Sequence, residues 1–390
     1  MIYLVIRVIA ACALVLSCLA SSGCPAIPVL GNEGWGYFAN HRILRFHRRV
    51  DHGGKRSRLF IDSASVIIQE RKGVFWVGSL LGLYTYDEKR GLWFDFGRDS
   101  DERFFRSVKT ICQDKLGRIW LKSLRSEVRY FDGRNWHHAD ELHPPAAIPA
   151  DNTVMFAGRD DGLWFVTAAG LTAFDGSEWS SPVSPPDNVQ AAYTALAIRY
   201  SDKRERSSME RSSIMNDAGR GKTGRYANEL LSTIYCGLQA NDGSIWLGSK
   251  KAIIRFEPSK NAWTLYPLRE LFDVRLIYED RQRRLWFADQ QGHLSVYSGM
   301  KHHWKSYDLK RYFPQVQPRE IESIYQDKLG QCMIGTADGG LVIFLEKDNK
   351  WKMFGDANST PPVYGVNAIA EDKMGRIWMS VGNGILVLDQ

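Results

Sequence analysis

The chain has 390 residues, 44% of them hydrophobic and 24% charged, with a formal net charge of +7 at neutral pH. That balance serves solubility and permits contact with anionic surfaces, yet nothing in it singles out nucleic acid as a partner. Of the six cysteines, Cys12, Cys18 and Cys24 fall near the N-terminus, while Cys112, Cys236 and Cys332 stand far apart beside apolar residues; with no CxxC or HxxxH spacing, this excludes a disulfide framework and a metal cluster.

Ile2 to Ala20 is almost wholly apolar, broken by Arg7 and Ser17, and no acidic residue precedes Glu33. Residues 1–24 therefore read as an export signal, although the run also approaches the length of a membrane anchor. Ser21-Ser22-Gly23-Cys24 resembles the end of a bacterial lipobox, which implies lipidation at Cys24. A lipoprotein, a secreted protein and a signal-anchored one all stay open. The expected location is outside the cytoplasm: periplasmic, attached to the outer membrane, or secreted.

Residues 33–390 are organised by tryptophan. One column reads Trp76, Trp120, Trp164, Trp246, Trp286 and Trp378, with Met333 filling a seventh place; its steps are 44, 44, 82, 40, 47 and 45 residues. A second column, Trp93, Trp136, Trp179, Trp263, Trp304 and Trp351, follows the first by 15 to 18 residues. A period of about 44 lies in the range of four-stranded propeller blades. Ahead of the first column, a short apolar stretch such as Ile111-Cys112-Gln113 meets a turn opened by Asp114 and closed by Gly117, which suits a tight hairpin. Alternating runs such as Leu83 to Asp87 and a second turn then lead to the second column, giving four strands per unit. No segment of the repeat region carries a helical period.

Such a unit cannot bury both faces alone, so its tryptophans belong between neighbours. Closing seven units into a ring removes the exposed edges. The expected fold is therefore all-β: a seven-bladed β-propeller of four-stranded antiparallel blades. Its last unit ends at Leu388, one strand short, and Trp35-Gly36-Tyr37-Phe38 has the character of an outer strand. The ring is thus expected to close with N- and C-terminal strands in one blade.

Ile111 to Trp120 (ICQDKLGRIW), Ile324 to Gly330 (IYQDKLG) and Ile369 to Trp378 (IAEDKMGRIW), followed by Gly-Leu and a Tyr/Phe-Asp pair, resemble the two-component-regulator propeller repeats. The resemblance implies an extracytoplasmic sensor-type propeller, a class linked to glycan recognition. No kinase segment follows before Gln390, so phosphotransfer is not expected of this chain.

The step of 82 contains a surplus. Between Arg199 and Arg225 lie eight Lys or Arg and four Asp or Glu among many Ser and Gly, so 199–229 reads as a basic flexible insertion. Gly221-Lys222-Thr223 imitates the end of a phosphate-binding loop, but Asn216 occupies the place of the first glycine and no strand-to-helix context surrounds it, which rejects nucleotide binding.

Eleven residues before the first column stand Ser65, Lys109, Thr153, Arg275, Glu322 and Asn367, and two places later Ile67, Ile111, Met155, Ile277, Ile324 and Ile369. A varied polar ring above a uniform apolar one suits the mouth of a closed channel, so these six polar residues are the candidate ligand-binding set. His137-His138 and His302-His303 sit beside second-column tryptophans, where adjacent residues face opposite ways, and His293 stands alone. No catalytic residue and no metal or other cofactor is assigned. The expectation is a monomeric binding or interaction module for a glycan, peptide or protein. A propeller-type lyase or hydrolase, as in the streptogramin-lyase group, is the rival, and a scaffold with an exposed apolar patch is a third reading.

Overall fold

The computed structural model describes residues 41–45, 49–50, 56–57, 64–96, 104–124, 127–149, 151–205, 229–268, 273–314, 318, 320–355, 359, 363–382 and 384–389. Seven sheets follow one another along them, antiparallel except for one pairing at the outer edge of the first. Blade one runs outward as Ala64–Gln69, Phe75–Ser79, Leu83–Asp87 and Leu92–Asp95, and exceeds the expected four strands, since Arg49–Val50 pairs in parallel with Leu92–Asp95 and carries Arg56–Ser57 antiparallel on its far side. Blades two, four, five and six repeat the four-strand order from inner strands Val108–Gln113, Ile234–Gln239, Leu276–Glu279 and Ile321–Gln326. Blade three has inner strand Val154–Ala157, and its outer edge is reduced to the bridges Leu171–Val183 and Phe174–Trp179. Blade seven begins with Ile369–Glu371, and its third strand, Gly384–Leu388, pairs with His41–Arg45. Consecutive inner strands adjoin, and the seventh lies against the first. The chain is a seven-bladed β-propeller.

His41 stands opposite Leu388, the register place where the other blades put a second-column tryptophan. Trp35 to Phe38, the export segment 1–24 with Cys24, and 206–228 of the insertion lie outside the described residues.

The hairpin turn explains why the tryptophan column exists. Asp114 Oδ1 accepts from the N–H groups of Leu116 and Arg118 at 3.0 and 2.9 Å, shaping a turn in which Gly117 takes φ +86°. The same carboxylate's Oδ2 accepts from Trp120 Nε1 at 2.8 Å and Arg118 Nε at 2.6 Å. Arg118 then reaches over the seam to the Gly176 carbonyl of blade three at 2.6 Å. Blades five and seven repeat the device with Asp280, Arg284 and Trp286, and with Asp372, Arg376 and Trp378; their arginines cross to Glu346 and Glu88. One acidic residue thus sets the turn, satisfies a buried indole and helps tie two blades together.

A second link recurs at the end of the inner strand. Gln113 Oε1 accepts from the N–H of Arg71 in the preceding blade at 2.8 Å, and Gln239, Glu279, Gln326 and Gln69 do the same for Arg159, Asn241, Arg281 and Lys373. Blade three has Ala157 at this place and forgoes the link.

The two columns are not equally buried. Trp76, Trp120, Trp246, Trp286, Trp378 and Met333 are buried, whereas Trp164 is half-buried. In the second column only Trp93, whose strand pairs with Arg49–Val50, is buried; the rest are half-buried, because no further strand covers the outer edges of their blades. They pack instead against the aromatic directly opposite on the third strand, as in Tyr86–Trp93, Phe256–Trp263 and Phe344–Trp351, with ring centroids 4.5–4.7 Å apart.

One expectation is corrected. Asp187–Glu205 forms a helix where the sequence shows no helical period, and it runs into the segment that begins at 199. Among its described side chains the apolar stripe is Val189, Tyr193 and Leu196, too short a run to register as a period. The stripe packs with Leu230 and Leu231 against blade four. Cys112 and Cys332 are buried and Cys236 half-buried, and all three thiols are free.

Candidate ligand-binding mouth

Inner strands begin at one face of the ring and end at the other. In blades one, two, four and six the pairing with the second strand slips by one residue at the second inner-strand position, leaving Ser65, Lys109, Tyr235 and Glu322 as the extra residue of a β-bulge. A bulge turns its side chain away from the regular alternation. Four of the seven mouth positions are therefore re-aimed by the backbone itself. In the other blades Thr153, Arg275 and Asn367 lie immediately ahead of the inner strand or its approach.

The six predicted residues divide into two groups. Ser65 and Thr153 are committed to the fold: Ser65 Oγ donates to the Val108 carbonyl across the seam at 2.5 Å, and Thr153 Oγ1 to the Pro149 carbonyl at 2.6 Å. Lys109 is exposed, and Arg275, Glu322 and Asn367 are half-buried. Burial holds the Glu322 carboxyl above its ordinary range, against the pull of Lys109, with Glu320 adding to the rise and Arg275 opposing it. Lys109 belongs to blade two and Glu322 to blade six, which are not neighbours, so this attraction acts across the channel. Asn367 brings a buried Oδ1 that has no hydrogen-bond partner.

Tyr235, eleven residues before Trp246, supplies the seventh mouth position, which the sequence-derived set of six did not include. The Arg275 guanidinium lies over its ring at 3.5 Å and reaches Asp273 at 3.6 Å. Below the mouth Ile67, Ile111, Met155, Ile277 and Ile324 are buried. Blade four contributes Gly237 to that layer, because a β-carbon there would meet the Phe156 ring at 2.2 Å.

His293 is not alone, contrary to expectation. Its Nδ1 lies 2.8 Å from Oδ2 of the buried Asp289, whose Oδ1 accepts from the N–H groups of Gln291 and His293. Asp289 occupies the turn position that Ser79, Thr167, Ser249 and Thr336 cap with hydroxyls in other blades. The i,i+4 spacing across a turn was the missed signal. This turn adjoins the mouth, since the Glu320 N–H donates to the Gln290 carbonyl. His137, by contrast, sits between Glu141 and Asp132 at 3.0 and 3.1 Å, away from the inner strands. The face also exposes Leu80, Leu81 and Leu124, joined through Ser107, which donates to the Leu80 carbonyl and accepts from Leu124.

No protein-family model and no curated protein matches the chain. Solved structures do. The extracellular domain of BT3049 from B. thetaiotaomicron, described as a hybrid two component system, is 15% identical with a TM-score of 0.59, covering 85% of this chain and 40% of that one. A streptogramin B lyase is 13% identical with a TM-score of 0.58, covering 90% and 99% of the two chains. YCF48 bound to a D1 peptide is 10% identical with a TM-score of 0.57, covering 93% and 99%. The chain thus spans less than half of the BT3049 domain it resembles, and at these identities the likeness shows the propeller fold, common to an extracellular domain of a two component system, a lyase and a protein seen with a peptide.

Proposed function

We propose that this chain is an exported, non-catalytic binding or interaction propeller, sensor-like in character, whose mouth takes a polar ligand bearing negative charge, such as a glycan or peptide carboxylate. The observation that carries the reading is the cross-channel set of Lys109, Arg275 and Glu322, two of them on backbone bulges, with Tyr235 under the guanidinium. Two cations face one carboxyl that burial already inclines toward the neutral form. Titration with uronic-acid oligosaccharides and acidic peptides tests it. Lys109→Glu with Arg275→Glu should weaken binding at least about tenfold, and wild-type binding should strengthen as falling pH protonates Glu322, whose burial moves that step above the ordinary carboxylate range. Undiminished binding by the double variant would sink the site.

The same reading includes residues 1–24 as export signal, Cys24 as lipid acceptor, and a ring latched by both ends of the chain. The pairing of His41–Arg45 with Gly384–Leu388 supports the latch. Deleting residues through Arg45 should then lower the melting temperature by roughly 1–3 °C, as loss of about 1–2 kcal/mol does for a domain of about 350 residues. An unchanged Tm refutes the latch. One observation favours the rival lyase or hydrolase reading: the Asp289–His293 pair beside the mouth. Turnover of any bound ligand that vanishes in His293→Ala would establish it. Leu80, Leu81 and Leu124 favour a protein ligand over a small one.

A further inference from the structure

At the face opposite the mouth, seven hairpin turns surround the channel. In four of them the opening residue is a buried acid, Asp114, Asp280, Asp327 or Asp372. The next residue is left outside. It is Arg71, Lys115, Arg159, Asn241, Arg281, Lys328 or Lys373, so six of seven places are basic. All six cations are exposed. Lys373 Nζ donates to the Arg71 carbonyl and Arg71 Nη1 to the Lys115 carbonyl at 2.8 Å, so these side chains lie along the ring, and neutral acceptors leave their charge in place. Two carboxylates act on the arc from blade five round to blade two: Glu371, with Arg281 at 3.1 Å and Lys328 at 4.0 Å, and Asp161 of blade three, with Arg71 at 2.7 Å.

The turn tips beside these cations are apolar in three blades of the arc. Leu116, Leu329 and Met374 are 64%, 71% and 74% exposed. They occupy the same place in hairpins of the same length, so they stand at one level around the ring. A rim of cations alone would suit any polyanion. Apolar side chains held at the tips among them suit a surface that is anionic outside and apolar a few ångströms in.

We propose that this turn face docks on an anionic lipid surface, with Lys115, Lys328, Lys373 and Arg71 among the headgroups and Leu116, Leu329 and Met374 entering the acyl boundary. The inner strand has the mouth at one end and this turn at the other, so docking presents the ligand site away from the membrane. The interaction is separate from any anchor at the N-terminus.

Sedimentation of the full chain with phosphatidylcholine vesicles, with and without phosphatidylglycerol, tests this. The wild type should bind the anionic vesicles at least about tenfold more tightly than the neutral ones, with loss on adding salt. Lys328→Glu with Lys373→Glu should abolish that preference, and residual binding to neutral vesicles would report an N-terminal anchor instead. Leu329→Ser with Met374→Ser should weaken anionic-vesicle binding while leaving its salt dependence intact. All four positions are exposed, so circular dichroism and Tm should stay at wild-type values. Equal binding of wild type and the Lys variant to anionic vesicles overturns the proposal. So does an unaltered affinity of the Leu329/Met374 variant, which would mark a soluble polyanion as the partner.

Discussion

Asp372→Ala is expected to lower the unfolding free energy by about 3–5 kcal/mol, read as a shifted urea midpoint at unchanged m-value. The buried carboxylate accepts from the N–H groups of Met374 and Arg376 at 2.9 Å each, from Arg376 Nε at 2.6 Å and from Trp378 Nε1 at 2.8 Å. Removing it strands the indole N–H and leaves Arg376 with Glu88 across the seam to blade one. Asp327→Ala should cost less than half as much. Asp327 makes the same turn bonds at 2.9 and 2.8 Å, but Gln331 and Met333 replace the arginine and tryptophan. Equal losses would show that turn shaping, and not the buried charge, dominates. Acid provides a second reading. Burial alone would raise Asp372; the Arg376 N–H, the Trp378 indole and the guanidinium outweigh it and hold the carboxyl below its ordinary range. A depressed carboxyl gives stability that is complete above the unfolded value of about 3.9 and is lost as pH falls through the folded one. The advantage of wild type over the alanine variant should therefore shrink below about pH 4.

Gly335→Ala should destabilise by about 1–3 kcal/mol and also disturb the mouth. Its β-carbon would lie 2.2 Å from the Val366 carbonyl oxygen and 2.3 Å from Ser323 Oγ. Val366 cannot retreat freely, because its N–H donates to the Thr336 carbonyl at 2.8 Å, and Asn367 of the candidate site follows it. Gly299→Ala is the control: its β-carbon would meet only the Tyr297 ring at 3.8 Å. Chemical denaturation of both variants decides the matter, and comparable stability would refute the close approach.

The blade count was legible because tryptophan is rare and both columns kept register over the whole chain. The Asp-to-Gly turn was legible too, since its chemistry is local. What the sequence did not disclose was mostly non-local. The helix Asp187–Glu205 owes its stability to packing on blade four, not to its own pattern. The Gln113–Arg71 link joins residues 42 positions apart, although glutamine recurring seven residues before the tryptophan would have exposed it. At the mouth, the position was read from spacing alone. The bulges that re-aim Lys109 and Glu322, the ring of Tyr235, and the commitment of Ser65 and Thr153 to carbonyl groups all depend on neighbours that only the fold supplies.

The close approach at Gly335 has a wider meaning. Gly78, Gly248 and Gly335 hold one register place on the second strand, and Val108, Val274 and Val366, each opening the following blade, fill the space their missing β-carbons leave. Blade two carries Lys122 there instead, under the influence of Asp151 from the segment leading into blade three. Blades that look interchangeable in outline therefore have unequal joints, the glycine–valine fit recurring at three of them and a lysine standing at a fourth. Setting a valine-opened blade after blade two would drive valine against lysine, whereas rejoining the ends and opening the chain between other blades would preserve every fit. The linear order of the repeats is itself specified information, stored in the volumes of residues that face each other across the gaps.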